Sequence, residues 1–127
     1  MKKALITGGI FAMLSVAIGA FGAHALKGIL GANAATWETG VQYQMFHSVG
    51  ILVCGQLLMK ERSRLYASAA VLFSIGIILF SGSLYALSIT KISILGAITP
   101  FGGFAFLAGW LCLIIGAARQ NSFFSRY

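Results

Sequence analysis

The residues whose types and spacing could support chemistry are few, and most of them crowd one stretch. Glu38, Gln42, Tyr43, Gln44 and His47 lie close together with Ser48 beside them, and His24 lies upstream. Glu38 and Gln42 are spaced to share a helical face, as are Tyr43 and His47. Glu38, His24 and His47 could form a proton-responsive group, and a hydrated His47 would titrate near physiological pH. The same residues could instead only hydrogen-bond helices together, at about 0.6 kcal/mol per bond inside a membrane, and the residues favour that simpler role. General acid–base catalysis has little material, because Glu38 and Glu61 are the only acidic side chains in the chain. CxxC, HExxH and CxxCH patterns are missing, so neither a metal nor another cofactor is expected. Cys54 and Cys112 read as small packing residues rather than a disulfide.

The elements that must position these groups follow from composition. The chain has 127 residues, 9 Lys/Arg against 2 Asp/Glu, and 59% hydrophobic residues. Only 9% of residues are charged, against about 25% in soluble domains, which excludes a soluble globular enzyme. Disorder is excluded by the opposite argument, since the mean hydropathy is +0.93. Residues 4–26, 39–59, 65–90 and 92–118 contain no Asp, Glu, Lys or Arg. Each reaches the roughly 20 residues a helix needs to cross the hydrocarbon. Backbone groups in lipid must be satisfied internally, which makes the spans helical. The expectation is one all-α domain over 1–127, an integral membrane four-helix bundle with spans at about 4–26, 38–59, 65–89 and 95–118.

Lys2, Lys3, Lys60, Arg62, Arg64, Arg119 and Arg126 fall on one side of such a protein, and Lys27 and Lys91 on the other. The positive-inside rule then puts both termini in the cytoplasm. The apolar run ending at Ala23-His24-Ala25 resembles a secretory signal, but at about 20 residues it exceeds the 7–15 of such signals and is expected to stay as a span. Trp37, Tyr66 and Tyr85 are expected at the headgroups, as is the segment 27–37. The basic, aromatic tail Phe123–Tyr127 is expected to rest on the anionic inner leaflet, which makes membrane lipids the expected partner. Without a basic stripe outside the loops, no nucleic-acid partner is expected.

Helices associate in lipid through close packing, so small residues at helical spacing should mark the contacts. Gly8, Ala12, Ser15, Gly19 and Gly22 form one such seam in the first span, and Gly102, Ala105, Gly109, Cys112 and Gly116 another in the fourth. Steps of three and four residues predict a left-handed seam. Gly40, His47, Gly50 and Cys54 make a stripe in the second span, and Ala67, Ser74, Ser81 and Ser88 one in the third. These seams could face one another or a second copy of the chain. Thr99-Pro100 predicts a helix start, with Thr99 as cap and Pro100 at the first position. The residues 94–98 then form a non-regular or separate turn, the alternative being one long helix kinked at Pro100. Gly102 and Gly103 would leave free N–H groups there, so Glu38 is expected beside the Thr99–Gly103 turn.

Four strings carry a resemblance: Gly19-Ala20-Phe21-Gly22-Ala23-His24, Tyr43-Gln44-Met45-Phe46-His47, Phe80-Ser81-Gly82-Ser83-Leu84-Tyr85, and Leu95-Gly96-Ala97-Ile98-Thr99-Pro100 with Gly102-Gly103 and Gly109-Trp110. In this order and length the chain closely resembles the DUF423 family of small bacterial membrane proteins, also called UPF0382, with transmembrane protein 256 of vertebrates as a relative. The resemblance implies a four-helix inner-membrane protein and carries over no catalytic residue. The function expected is a non-enzymatic structural, assembly or lipid-contact bundle. A small homo-oligomeric transporter or channel is the alternative, although no carboxylate lies deep in any span.

Overall fold

Continuous apolar runs leave the backbone no partner but itself, and helices are accordingly the only regular elements among the described residues. The computed structural model describes residues 1–120. α1 (Lys2–His24) is followed by a short α2 (Lys27–Leu30) and a single 3-10 turn, Gly31–Asn33. α3 (Ala34–Lys60) is 27 residues long, or about 40 Å at the helical rise. α4 (Arg64–Gly76) runs through a π turn, Ile77–Ser81, into α5 (Gly82–Thr90), and a 3-10 turn, Ser93–Ala97, precedes α6 (Thr99–Ala118). Gly31 lets the chain turn from α2 toward α3 with φ of 50°, where a side chain would be strained. The tail Phe123–Tyr127 lies outside the described residues.

Among the described residues, three helical stretches are long and apolar enough to cross a membrane: Lys2–His24, Arg64–Thr90 and Ser93–Ala118. α3 has the length but is not among them, because Glu38, Gln42, Gln44, His47, Ser48 and Gln56 dilute its apolar character. It is also the central helix. α1 packs along it on one side and α4, the π turn and α5 on the other, while α6 packs on α4 and the π turn. Large apolar side chains point outward on every long helix, including Met13 and Val16 on α1, Phe46 on α3, Ile78 in the π turn and Phe104 on α6. Small residues point inward, the arrangement expected where lipid is the solvent.

The seams behave as close-packing surfaces. A methyl group added at Gly8 would sit 2.9 Å from Leu52, and one at Gly19 would sit 3.2 Å from Val41. Gly22 lies directly beneath the Trp37 indole. On α6, Gly102 lies against the Phe80 backbone, Gly109 under the Phe73 ring and Gly116 under Tyr66. The stripe in the third span is interrupted. Ser81 and Ser88 are fully buried, yet Ala67 is exposed, because the π turn changes the helical phase and brings Ala69, Ala70 and Phe73 inward instead.

The aromatic residues expected at the headgroups pack between helices, Trp37 and Tyr66 buried and Tyr85 partly so. Trp37 donates from Nε1 to the Ile18 carbonyl at 3.1 Å and packs on Tyr85, with ring centroids 4.8 Å apart. Tyr66 is fully buried. Each ring covers a position where a glycine has left room (Gly22, Gly40 and Gly116). The start of α6 also differs in detail. Ile98, not Thr99, is the N-cap, with Pro at the start of the helix, and the Thr99 hydroxyl meets Ser83 Oγ at 2.6 Å. The side chain therefore ties α6 to α5 rather than capping its own helix.

Candidate functional site

The polar stretch of α3 is distributed around the helix, so the fold sends its members to different places. Gln44 and His47 point inward and are buried, while Gln42 and Tyr43 flank them on the exposed side and Glu38 is exposed. Gln44 joins three helices. Its Nε2 donates to the Phe11 carbonyl of α1 at 2.9 Å, and its Oε1 accepts from the Tyr85 hydroxyl of α5 at 2.7 Å. Ser48 donates to the Gln44 carbonyl at 2.5 Å. One turn earlier, Ser81 donates to the Gly40 carbonyl at 2.7 Å, so the π turn is fastened to α3. Gly40 has no side chain there, and the Tyr85 ring fills the space.

His47 is held on both sides. The Trp110 indole donates to Nε2 at 3.0 Å, and Nδ1 lies 2.8 Å from the Tyr43 carbonyl. An indole N–H can only donate, which makes Nε2 the acceptor and Nδ1 the protonated nitrogen of a neutral ring. The imidazole stacks on Phe106 at 3.6 Å between centroids, and Phe73 meets it edge-on at 5.4 Å. α3 and α6 therefore communicate through side chains rather than through close backbones.

The space this leaves is a groove of about 740 Å³ between α3 and α6, within the roughly 300–1,000 Å³ of small-molecule sites. Gln42, Tyr43 and Pro100 are at the end near the start of α6, and Phe104, Leu107 and Trp110 continue it along that helix, with His47 in the wall. Its lining is mostly apolar and aromatic. Among the described residues no three His, Cys, Asp or Glu side chains converge as a metal site would require.

Of the expected cluster, Gln44 and His47 are both buried and hydrogen-bonded, each to its own partners, and Gln42 and Tyr43 line one groove with His47. Glu38 lies elsewhere, in a crevice of about 170 Å³ with Gly19, Gly22 and Ala23 of α1, and the neighbouring His24 is exposed. Glu38 is therefore separated from the helix-6 start, where Pro100 and Gly103 line the groove. The reason is angular: Glu38 sits one residue past Trp37, which faces α1, whereas the face toward α6 carries Tyr43 and His47. Gly102 is closed off by Phe80 and offers no free cradle. Trp110, Phe106 and the Phe11 carbonyl were not singled out as site members from the sequence. Phe106 and Trp110 are four residues apart and share a face, but the Trp110–His47 contact joins residues 63 apart in the chain and leaves no local signal.

A family model described as "Protein of unknown function (DUF423)" matches residues 18–103. The UPF0382 membrane protein YwdK of Bacillus subtilis is 48% identical over 121 residues, covering 94% of this chain and 98% of the relative. The UPF0382 membrane protein SH2409 of Staphylococcus haemolyticus is 47% identical over 120 residues, covering 94% of this chain and 98% of that one. The UPF0382 inner membrane protein YgdD of Escherichia coli is 40% identical over 116 residues, with 91% and 88% covered. No solved structure matches the chain.

Proposed function

The chain belongs to the DUF423 family, and from that premise we propose that it is a non-enzymatic four-span bundle of the inner membrane, acting in structure or assembly and in contact with lipid. Four crossings are supported by the pairing of α1 with α3. Gly8 meets Leu52 and Gly22 meets Trp37, so α3 runs antiparallel beside a full-length apolar helix. A helix so paired lies at the same depth as its partner. The ends then bearing Lys2, Lys3, Arg62, Arg64 and Arg119 share one side, which supports cytoplasmic termini.

The observation that carries the non-enzymatic reading is the use made of the buried polar groups. Gln44 bonds to α1 and α5, and both nitrogens of His47 are engaged. A proton-transfer group needs a free valence toward its substrate, and these have none. The groove beside them suits a lipid acyl chain, being mostly apolar and aromatic, with Phe104 and Leu107 along it. A second copy of the chain is the other occupant this face could take.

A photoactivatable phospholipid, incorporated with the protein into liposomes, tests the reading. Labelling is expected at Phe104 and Leu107 in preference to the outward face of α1. The same liposomes serve the alternative, a proton-responsive transporter, which the opening of His47 onto the groove favours. No pH-dependent ion or proton flux is expected. Flux that disappears in His47→Ala would overturn the non-enzymatic, non-transporting reading.

A further inference from the structure

At the end of the bundle opposite the start of α6, a second cavity has a different character. It measures about 230 Å³ and is walled by Arg62, Ser63 and Arg64 of the α3–α4 connection and by Arg119 and Gln120 after α6, with Glu61 beside them. Three arginines and one glutamate thus line it. Among the described residues none of the three arginines has an ion-pair partner, although Glu61 is adjacent in sequence to Arg62.

Gln120 supplies an independent sign of a missing occupant. It is 4% exposed, and its Nε2 has no hydrogen-bond partner. A buried amide donor left unmade is costly, and native structures keep such groups where something else completes them. The backbone adds to the same polarity. Ser63 caps α4 by accepting from Tyr66 N, and the first N–H groups of a helix continuing through the π turn to Thr90 lie at the cavity edge. The carbonyl ends of α3 and α6 and the Glu61 carboxylate oppose this polarity, and the three arginines outweigh them.

We propose that this cavity binds a phosphate group, held by Arg62, Arg64 and Arg119 with the Gln120 amide completing its hydrogen bonds. Arginine forks match the oxygens of a phosphate in pairs, and Gln120 adds a neutral donor the anion can fill. The cavity lies beside the ends of α3, α4 and α6, where a span meets the lipid headgroups. The phosphate of an anionic phospholipid and a free inorganic phosphate share this chemistry. The proposal deepens the lipid-contact reading by naming a headgroup class, and it rests on that reading only for the side of the membrane concerned.

The test uses the full-length protein in neutral detergent, with phosphatidylglycerol, phosphatidylcholine and inorganic phosphate as probes and native mass spectrometry as readout. Phosphatidylglycerol is expected to be retained and phosphatidylcholine not. The Arg64→Gln/Arg119→Gln pair and Gln120→Leu are each expected to weaken retention about tenfold or more, as loss of a hydrogen bond to a charged group implies. Gln120→Glu keeps the shape while reversing the polarity, and its loss should equal or exceed that of Gln120→Leu, with helicity by circular dichroism unchanged. Lys2→Gln/Lys3→Gln removes the same charge from the same end and should leave binding intact. Displacement of the lipid by millimolar inorganic phosphate would support the same site with the free anion as its source. Equal weakening by the Lys2/Lys3 pair, full binding by Gln120→Leu, or no binding of any phosphate probe would each overturn the proposal. Failed acyl-chain labelling of the α3–α6 groove with phosphatidylglycerol still retained would instead count against the lipid-contact groove alone.

Discussion

If Gln44 is a stitch, then removing it and removing its partner must not add. Gln44→Leu keeps nearly the same volume but deletes the bond to the Phe11 carbonyl and the acceptor for Tyr85, whose hydroxyl is then left without its 2.7 Å partner. Tyr85→Phe deletes the donor and leaves Oε1 of Gln44 unmatched. Interhelical hydrogen bonds in a membrane average about 0.6 kcal/mol and reach about 1.7. The bond is short and Gln44 is 3% exposed, which places it toward the upper part of that range. Each single substitution is therefore expected to cost about 1–2 kcal/mol, and the double substitution about 1 kcal/mol less than their sum. The measurement is a double-mutant cycle of reversible unfolding in bicelles, with helicity as the signal. A coupling smaller than about 0.3 kcal/mol, the usual scatter of independent sites, would refute the claim that this bond holds α3 to α5.

Neighbouring glycines on α6 should respond in opposite ways. Gly102→Ala drives a methyl group into the Phe80 backbone, with Phe80 Cα 2.8 Å away, whereas Gly103→Ala meets nothing within 4 Å. Thermal unfolding in detergent should show Gly102→Ala destabilised by about 1–3 kcal/mol and Gly103→Ala unchanged or slightly stabilised. At the other interface Gly22→Ala must displace the Trp37 indole and with it the bond to Ile18; a lowered unfolding midpoint with red-shifted tryptophan fluorescence is the expected result. Ser81→Ala removes the bond from the π turn to Gly40, and a loss of about 0.6–1.7 kcal/mol is expected in the same assay. Trp110→Phe leaves Nε2 of His47 without its donor, and the ring's NMR nitrogen shifts should then report exchange between tautomers, where the native protein shows one.

Much of the interior could be read from residue types alone. Gly8, Gly19 and Gly22 of one seam and Gly102, Gly109 and Gly116 of the other lie close against neighbouring helices, as small residues permit where helices attract through close approach. The separate turn before Thr99 was also legible, since Pro100 has no N–H to give to a continuing helix. Less was legible in the polar stretch. Spacing placed Gln42, Tyr43, Gln44 and His47 on a helix, but a helix presents residues all round, and only the neighbours decide which of them face inward. Glu38 and Tyr43 belong to the same polar stretch of sequence, yet one lies against α1 and the other over Phe80 and Phe106.

What the amino-acid sequence determined by itself was the solvent the chain requires, the helical state and the positions able to pack closely, because each follows from local composition and backbone hydrogen bonding. What only the tertiary structure decided was the partner of each group: Trp110 on His47, Tyr85 on Gln44, the phase shift at Ile77–Ser81, and the arginines gathered around Gln120. Those pairings join residues far apart in the chain. They depend on where four helices come to rest against one another, and no local pattern records that.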